Sequence, residues 1–226
     1  MKKKIKYCYG AYNKYDNIEQ WIRITEGCPH NCPYCYEPQK IKIFGIPEIV
    51  RNKVKIMDMN LLAKKEALKI IRELGQKKVN NKVVYYELIC GIDYRFLTQE
   101  IAQVLKIARF QKLRVAWDWW YQDQHKIKDA ISFLLKAGYK PNNIMIFMIC
   151  NWKIPYLENL KKLDLCKIWN VQVADCYFDG QVKKIEPVHW TIEQIKDFRK
   201  RCRKHNQLVN FKIDPEIDPN QKPLLL

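Results

Sequence analysis

Three cysteines stand close together in the run Gly-Cys-Pro-His-Asn-Cys-Pro-Tyr-Cys-Tyr at residues 27 to 36: Cys28, Cys32 and Cys35, spaced C-x3-C-x2-C. Thiolates this close on one loop can converge on a single metal centre. Iron-sulfur clusters are held by such thiolates, whereas structural zinc takes four ligands, commonly with a second pair of cysteines or histidines. His30, between the cysteines, would complete a zinc site only if the tight loop turned back on itself. Three ligands leave one iron of a four-iron cluster without a protein partner, and an open coordination position is where a substrate or cofactor binds. The spacing therefore points to chemistry more than to scaffolding. The other six of the nine cysteines, Cys8, Cys90, Cys150, Cys166, Cys176 and Cys202, are dispersed among apolar neighbours and read as small buried hydrophobes. An odd number of cysteines in a reducing compartment argues against a disulfide framework. Cys150, Cys166 and Cys176 lack the close spacing that an auxiliary cluster would need.

The elements that must position this loop alternate along the chain. Trp21 to Thr25 reads as a short strand that ends at Glu26-Gly27, directly before the cysteines. Strands at Val54 to Met59, Val83 to Cys90, Leu113 to Trp119, Ile144 to Cys150 and Val171 to Phe178 follow. Between them lie helices at Ala63 to Gly75, from a Thr98 cap to about Phe110, at Lys126 to Ala137 and from about Tyr156. A capped helix from Thr191 to about His205 and a final strand at Leu208 to Ile213 complete the pattern. Strands alternating with amphipathic helices are best accommodated by a parallel sheet, because each helix supplies the right-handed crossover. Six strands before the last helix fall short of an eight-unit barrel, so an open partial barrel and a doubly wound sheet both suit, with ligands at the carboxyl ends of the strands.

A chain of 226 residues and 27.3 kDa is enough for one domain, here residues 1–226 with a core from about 19 to 213 and a Pro-containing tail at 214–226. No apolar run approaches the ~20 residues of a membrane span, and the Met-Lys-Lys-Lys start lacks a signal sequence, so a soluble cytoplasmic protein without membrane partners is expected.

With its motif directly after a first strand and Tyr34 at the aromatic place, the chain resembles the radical S-adenosylmethionine (radical SAM) enzymes, whose signature is C-x3-C-x-(aromatic)-C. The resemblance covers most of the chain. It implies a partial (β/α)6 barrel with outer helices, a 4Fe-4S cluster on Cys28, Cys32 and Cys35, and SAM bound at the unique iron. Reductive cleavage of SAM would then release a 5'-deoxyadenosyl radical that abstracts a substrate hydrogen. Tyr34 is expected to pack beside the cluster and near the adenine. The Gly-Gly-Glu-Pro run that binds the methionyl amino group in many members is absent. By strand counting its place falls to Asp58 and Asn60, each of which would otherwise cap the following helix, or to Asp93 if the count is off by one. Asp118, at the end of the fourth strand, would hold the ribose hydroxyls or form a salt bridge. Asn151 would contact adenosine or substrate, or simply form a turn. Trp117, Trp119, Trp120 and Tyr121 read mostly as core and pocket wall.

The charge of +17, from 41 basic against 24 acidic residues, favours a polyanionic substrate such as tRNA, with a peptide or protein next. Thirty-two of the basic residues are Lys, which a coding bias or a merely solvated surface would also explain. Arg199 to His205 concentrates positive charge at a helix end, suiting either phosphate or the helix dipole. An external electron donor is implied. The competing reading is a non-catalytic basic nucleic-acid-binding protein with zinc in the cysteine loop.

Overall fold

Apolar residues that repeat every second or every three to four positions turn toward one interior in the computed structural model, which describes residues 10–178 and 190–211. β1 (Tyr12–Tyr15) and β2 (Gln20–Arg23) form an antiparallel hairpin, and the short pair β3 (Thr25–Glu26) and β4 (Lys42–Ile43) brackets the cysteine loop. Then come β5 (Lys53–Ile56), α1 (Ala67–Gln76), the small hairpin of β6 (Lys78–Val79) and β7 (Lys82–Val83), and β8 (Tyr85–Leu88). After β9 (Ile92–Asp93) follow α2 (Gln99–Ile107), β10 (Leu113–Ala116) and α3 (Gln124–Lys136). The chain continues through β11 (Ile144–Cys150), α4 (Tyr156–Ile168), β12 (Gln172–Tyr177) and α5 (Ile192–Phe211).

Two four-stranded sheets result, ordered β1-β2-β5-β8 and β12-β11-β10-β9, and every pairing in them except β1 with β2 is parallel. Their facing edges meet at one parallel bridge between Tyr86 and Phe110, where Gln111 N donates to Tyr86 O at 2.8 Å. One face of the sheets packs on the helices. There Ile22, Ile56, Leu88, Val115 and Ile146 are buried against helical positions such as Ile70, Ile71 and Leu74 of α1, whose spacing follows the 3.6-residue period. The opposite face carries the half-buried Trp21, Lys55, Glu87, Arg114 and Phe147.

The expected six strands are β2, β5, β8, β10, β11 and β12, and Thr98 caps α2 by accepting from Ile101 N at 3.2 Å. Over its described residues, 208 to 211, the expected final strand at Leu208 to Ile213 is not formed. Residues 208 to 211 continue α5, because Phe198, Cys202, His205 and Val209 are buried at helical spacing. Arg199 to His205 therefore lies inside that helix rather than at its end, which removes the dipole explanation; Arg199 pairs with Asp175, Arg201 with Asp197, and His205 is buried. The fourth strand stops at Ala116, so its alternation fails beyond Trp117, and Trp120, expected in the core or pocket wall, is 46% exposed. Cys150, Cys166 and Cys202 are buried as expected, whereas Cys90 and Cys176 are only half-buried. Cys8, the Met-Lys-Lys-Lys start, Ile213 and the tail from Asp214 to Leu226 lie outside the described residues. Among the described residues no helix is long and apolar enough to cross a membrane.

Candidate metal centre and cofactor cleft

The cysteine loop leaves β3 through Gly27, whose φ of +95° is one that L side chains rarely adopt. A Cβ there would stand 2.4 Å from Lys40 O, so the base of the loop can close only on glycine. Closure is made by Cys28 N donating to Pro38 O at 2.9 Å and by a turn in which Cys35 N donates to Cys32 O at 3.0 Å. Beneath it the Glu37 carboxylate accepts from Gly27 N at 2.6 Å and from Arg23 Nη2 at 2.6 and 2.7 Å, with both side chains buried. A paired, hydrogen-bonded charge is tolerated there; a lone one would not be. Lys64, also buried, donates from Nζ to Gly27 O and to Asn60 O.

The three thiols line one cleft at the carboxyl ends of the parallel strands, together with Tyr34, Asn60, Asp93 and Asp118. Asn60 follows β5 and donates from Nδ2 to Cys28 Sγ at 3.4 Å and to Asp93 Oδ2 at 3.1 Å. Asp93 ends β9 and is gripped by Arg95, Nε to Oδ1 at 2.7 Å and Nη2 to Oδ2 at 2.9 Å. His30 Nε2 lies 3.0 Å from Asp93 Oδ2 without hydrogen-bond alignment. Asp118, just beyond β10, accepts from the Tyr34 hydroxyl at 3.0 Å. Burial pushes the Asp118 carboxyl up to about 6, against the opposing effect of the Tyr34 hydrogen bond, and burial pushes the Tyr34 phenol up as well. It also raises the Cys32 and Cys35 thiols, and Glu37 N, 3.4 Å from Cys35 Sγ, works the other way. The ring of Tyr34 packs at 5.5 Å from Trp119 and at 5.8 Å, edge-on, from Trp152.

Of the residues singled out from sequence, the cleft brings together Cys28, Cys32, Cys35, Tyr34, Asn60, Asp93 and Asp118. Asp58 is elsewhere. It is fully buried behind the loop and accepts from Ile24 N at 2.9 Å, Thr25 N at 2.8 Å and Thr25 Oγ1 at 2.6 Å. With both oxygens committed to the end of β2, it serves as a strand brace, neither an ammonium acceptor nor a helix cap. Asn60, at the start of a 3-10 turn, makes no side-chain cap either. Asn151 stands outside the cleft at φ +59°, the left-handed turn geometry that Asn tolerates, with Oδ1 buried and unpartnered. Cys90 lines the cleft rather than the core, its thiol pushed up to about 11 by burial.

Arg95, Lys64 and Lys162 escaped the sequence reading. Lys162 is fully buried on α4 and donates from Nζ to the carbonyls of Trp117, at 3.3 Å, and Trp119, holding the loop that carries Asp118. The available signal was its helical register with Asn159, Leu163 and Cys166, which form the buried face of α4.

Three free thiols on one cleft are the donor type that an iron-sulfur cluster takes. Among the described residues no group of three His, Cys, Asp or Glu side chains is gathered closely enough to hold a metal ion as it stands. Asn60 Oδ1 is buried in the cleft without a partner, an acceptor that a bound ligand's N–H would satisfy.

No family model and no curated protein matches the chain. Among solved structures it is similar to the radical S-adenosylmethionine methyltransferase TsrM from Kitasatospora setae with cobalamin and a [4Fe-4S] cluster bound: 11% identity over 70% of this chain and 36% of that one, at a TM-score of 0.56. The same enzyme with tryptophan substrate and the SAM analogue aza-SAM gives 11% identity, 69% and 35% coverage and a TM-score of 0.55. The chain thus spans about a third of the length of these neighbours. At this identity the likeness is one of fold alone.

Proposed function

We propose that the chain is a radical SAM enzyme in which Cys28, Cys32 and Cys35 hold a 4Fe-4S cluster and the two parallel sheets curve into a partial barrel around it. One observation carries this reading: the three cysteines of a C-x3-C-x2-C run line a single cleft at the carboxyl ends of parallel strands, in a fold shared with a radical SAM methyltransferase. Bound there, the cluster and SAM supply reductive cleavage of the sulfonium to a 5'-deoxyadenosyl radical. The chain's own residues bind and orient. Asn60 Oδ1 accepts from the methionyl ammonium, and ionised Asp118, whose other oxygen is left by Tyr34, accepts from the ribose hydroxyls. Tyr34, Trp119 and Trp152 form an aromatic wall that keeps water from the reacting atoms.

RNA is the substrate class that the net charge of +17 favours, and Lys200, Arg203 and Lys204 on the exposed side of α5 add to a surface suited to phosphate. Anaerobic reconstitution tests the metal assignment. About four iron and four sulfide per chain, then 5'-deoxyadenosine on reduction with SAM, are expected. One zinc without sulfide would establish the competing binding protein instead.

A further inference from the structure

The Asn60 side chain does more than line the cleft. Its amide nitrogen faces two acceptors at once, Asp93 Oδ2 at 3.1 Å and Cys28 Sγ at 3.4 Å, and its oxygen faces none. Amide orientation is decided by partners. Here Asp93 decides it, because the Arg95 guanidinium grips both of its oxygens and leaves a carboxylate that can only accept. Turning the amide over would place Oδ1 against a carboxylate oxygen and a sulfur, so Asp93 holds one N–H of Asn60 on Cys28.

We infer that Asn60, oriented by Asp93, tunes the reduction potential of the cluster through an N–H···S hydrogen bond to Cys28. The inference rests on the assignment of the cluster to the three cysteines. A donor on a ligating sulfur stabilises the more negative, reduced cluster more than the oxidised one, and so raises the potential. The bond to Cys28 is made by an uncharged amide, so its loss changes no formal charge. Asn60 is nearly buried, so water does not readily replace the bond once it is lost.

The test is the midpoint potential of the reconstituted cluster, read by EPR-monitored redox titration without SAM or substrate. Asn60→Leu removes the donor without adding charge. It should lower the potential by at least the equivalent of a tenfold change in the reduction equilibrium, about 59 mV for one electron. Wild-type potential in Asn60→Leu at equal iron and sulfide content overturns the inference and leaves the cluster assignment standing. One zinc and no sulfide in the wild type overturns both.

A double-mutant cycle tests the part given to Asp93. Asp93→Asn removes a negative charge, which by itself raises the potential. In the wild type it also releases the amide, so its upward shift should be smaller there than in Asn60→Leu. Equal shifts in the two backgrounds overturn the coupling. Should the variants assemble poorly, the wild type alone decides. With asparagine side chains labelled with 15N, double resonance on the reduced cluster should show an amide nitrogen coupling, and its absence overturns the hydrogen bond.

Discussion

The Tyr34 hydroxyl donates to Asp118 Oδ2 at 3.0 Å, tying the cysteine loop to the carboxyl end of β10 across 84 residues of sequence. The bond joins the element that would hold the metal to the one that would hold the nucleoside. Tyr34→Phe deletes it without changing the ring stack on Trp119 and Trp152. Loss of a hydrogen bond to this half-buried, charged carboxylate should cost about 1.5–3 kcal/mol of stability. Denaturant unfolding at pH 7.5 should show that loss, and SAM affinity measured by calorimetry should fall at least fivefold.

Asp118 also sets a pH dependence. Its carboxyl is raised from the ordinary 3.8 to about 6 by burial, so between those values the folded chain binds more protons than the unfolded one. Stability from this group therefore rises as the pH falls from 7 toward 4, in total on the order of 2 kcal/mol. Asp118→Asn should remove that component. Comparing unfolding free energies of the two proteins at pH 5 and pH 7.5, the advantage of the variant should be larger at the higher pH. A difference independent of pH would show that Asp118 titrates normally.

Lys162 titrates in the opposite sense. Burial lowers its ammonium from 10.5 to about 8, so between these values the unfolded chain binds more protons and the group's contribution to stability rises with pH. In Lys162→Met that rise disappears. The difference in unfolding free energy, wild type minus variant, should grow between pH 8 and pH 10, measured by urea titration.

How much of this was legible follows from where each residue's partners lie. The cysteine loop could be read because its three cysteines sit within eight consecutive residues, and the strand Ile144–Cys150 because its whole run is apolar. Asp58 could not. Its partners are the backbone N–H groups of Ile24 and Thr25 on the neighbouring strand, and unpaired donors at a strand end leave no trace in residue type. Lys64 and Lys162 read as surface lysines, since their acceptors are backbone carbonyls that a sequence does not display. The chain after His205 misled for a local reason: Leu208, Val209 and Phe211 form a plausible strand, and only their register with Cys202 and His205 carries the helix onward.

Gly27 controls whether the loop can form at all. Gly27→Ala combines a backbone angle that costs about 1–3 kcal/mol with a contact of 2.4 Å to Lys40 O. Far-ultraviolet circular dichroism should remain close to that of the wild type, because the strand pairings of the two four-stranded sheets lie outside the loop. Iron bound after reconstitution should fall by more than tenfold. Normal iron content in this variant would mean that the closed base is not needed to gather the thiols.

The most direct measurement is the EPR spectrum of the reconstituted, reduced protein before and after addition of SAM, alongside Cys28→Ala, Cys32→Ala and Cys35→Ala. A reduced 4Fe-4S signal that shifts when SAM is added, and that is lost in each variant, is the expected result. A protein that takes up one zinc and no sulfide, or a cluster signal that SAM leaves unchanged, would contradict the account.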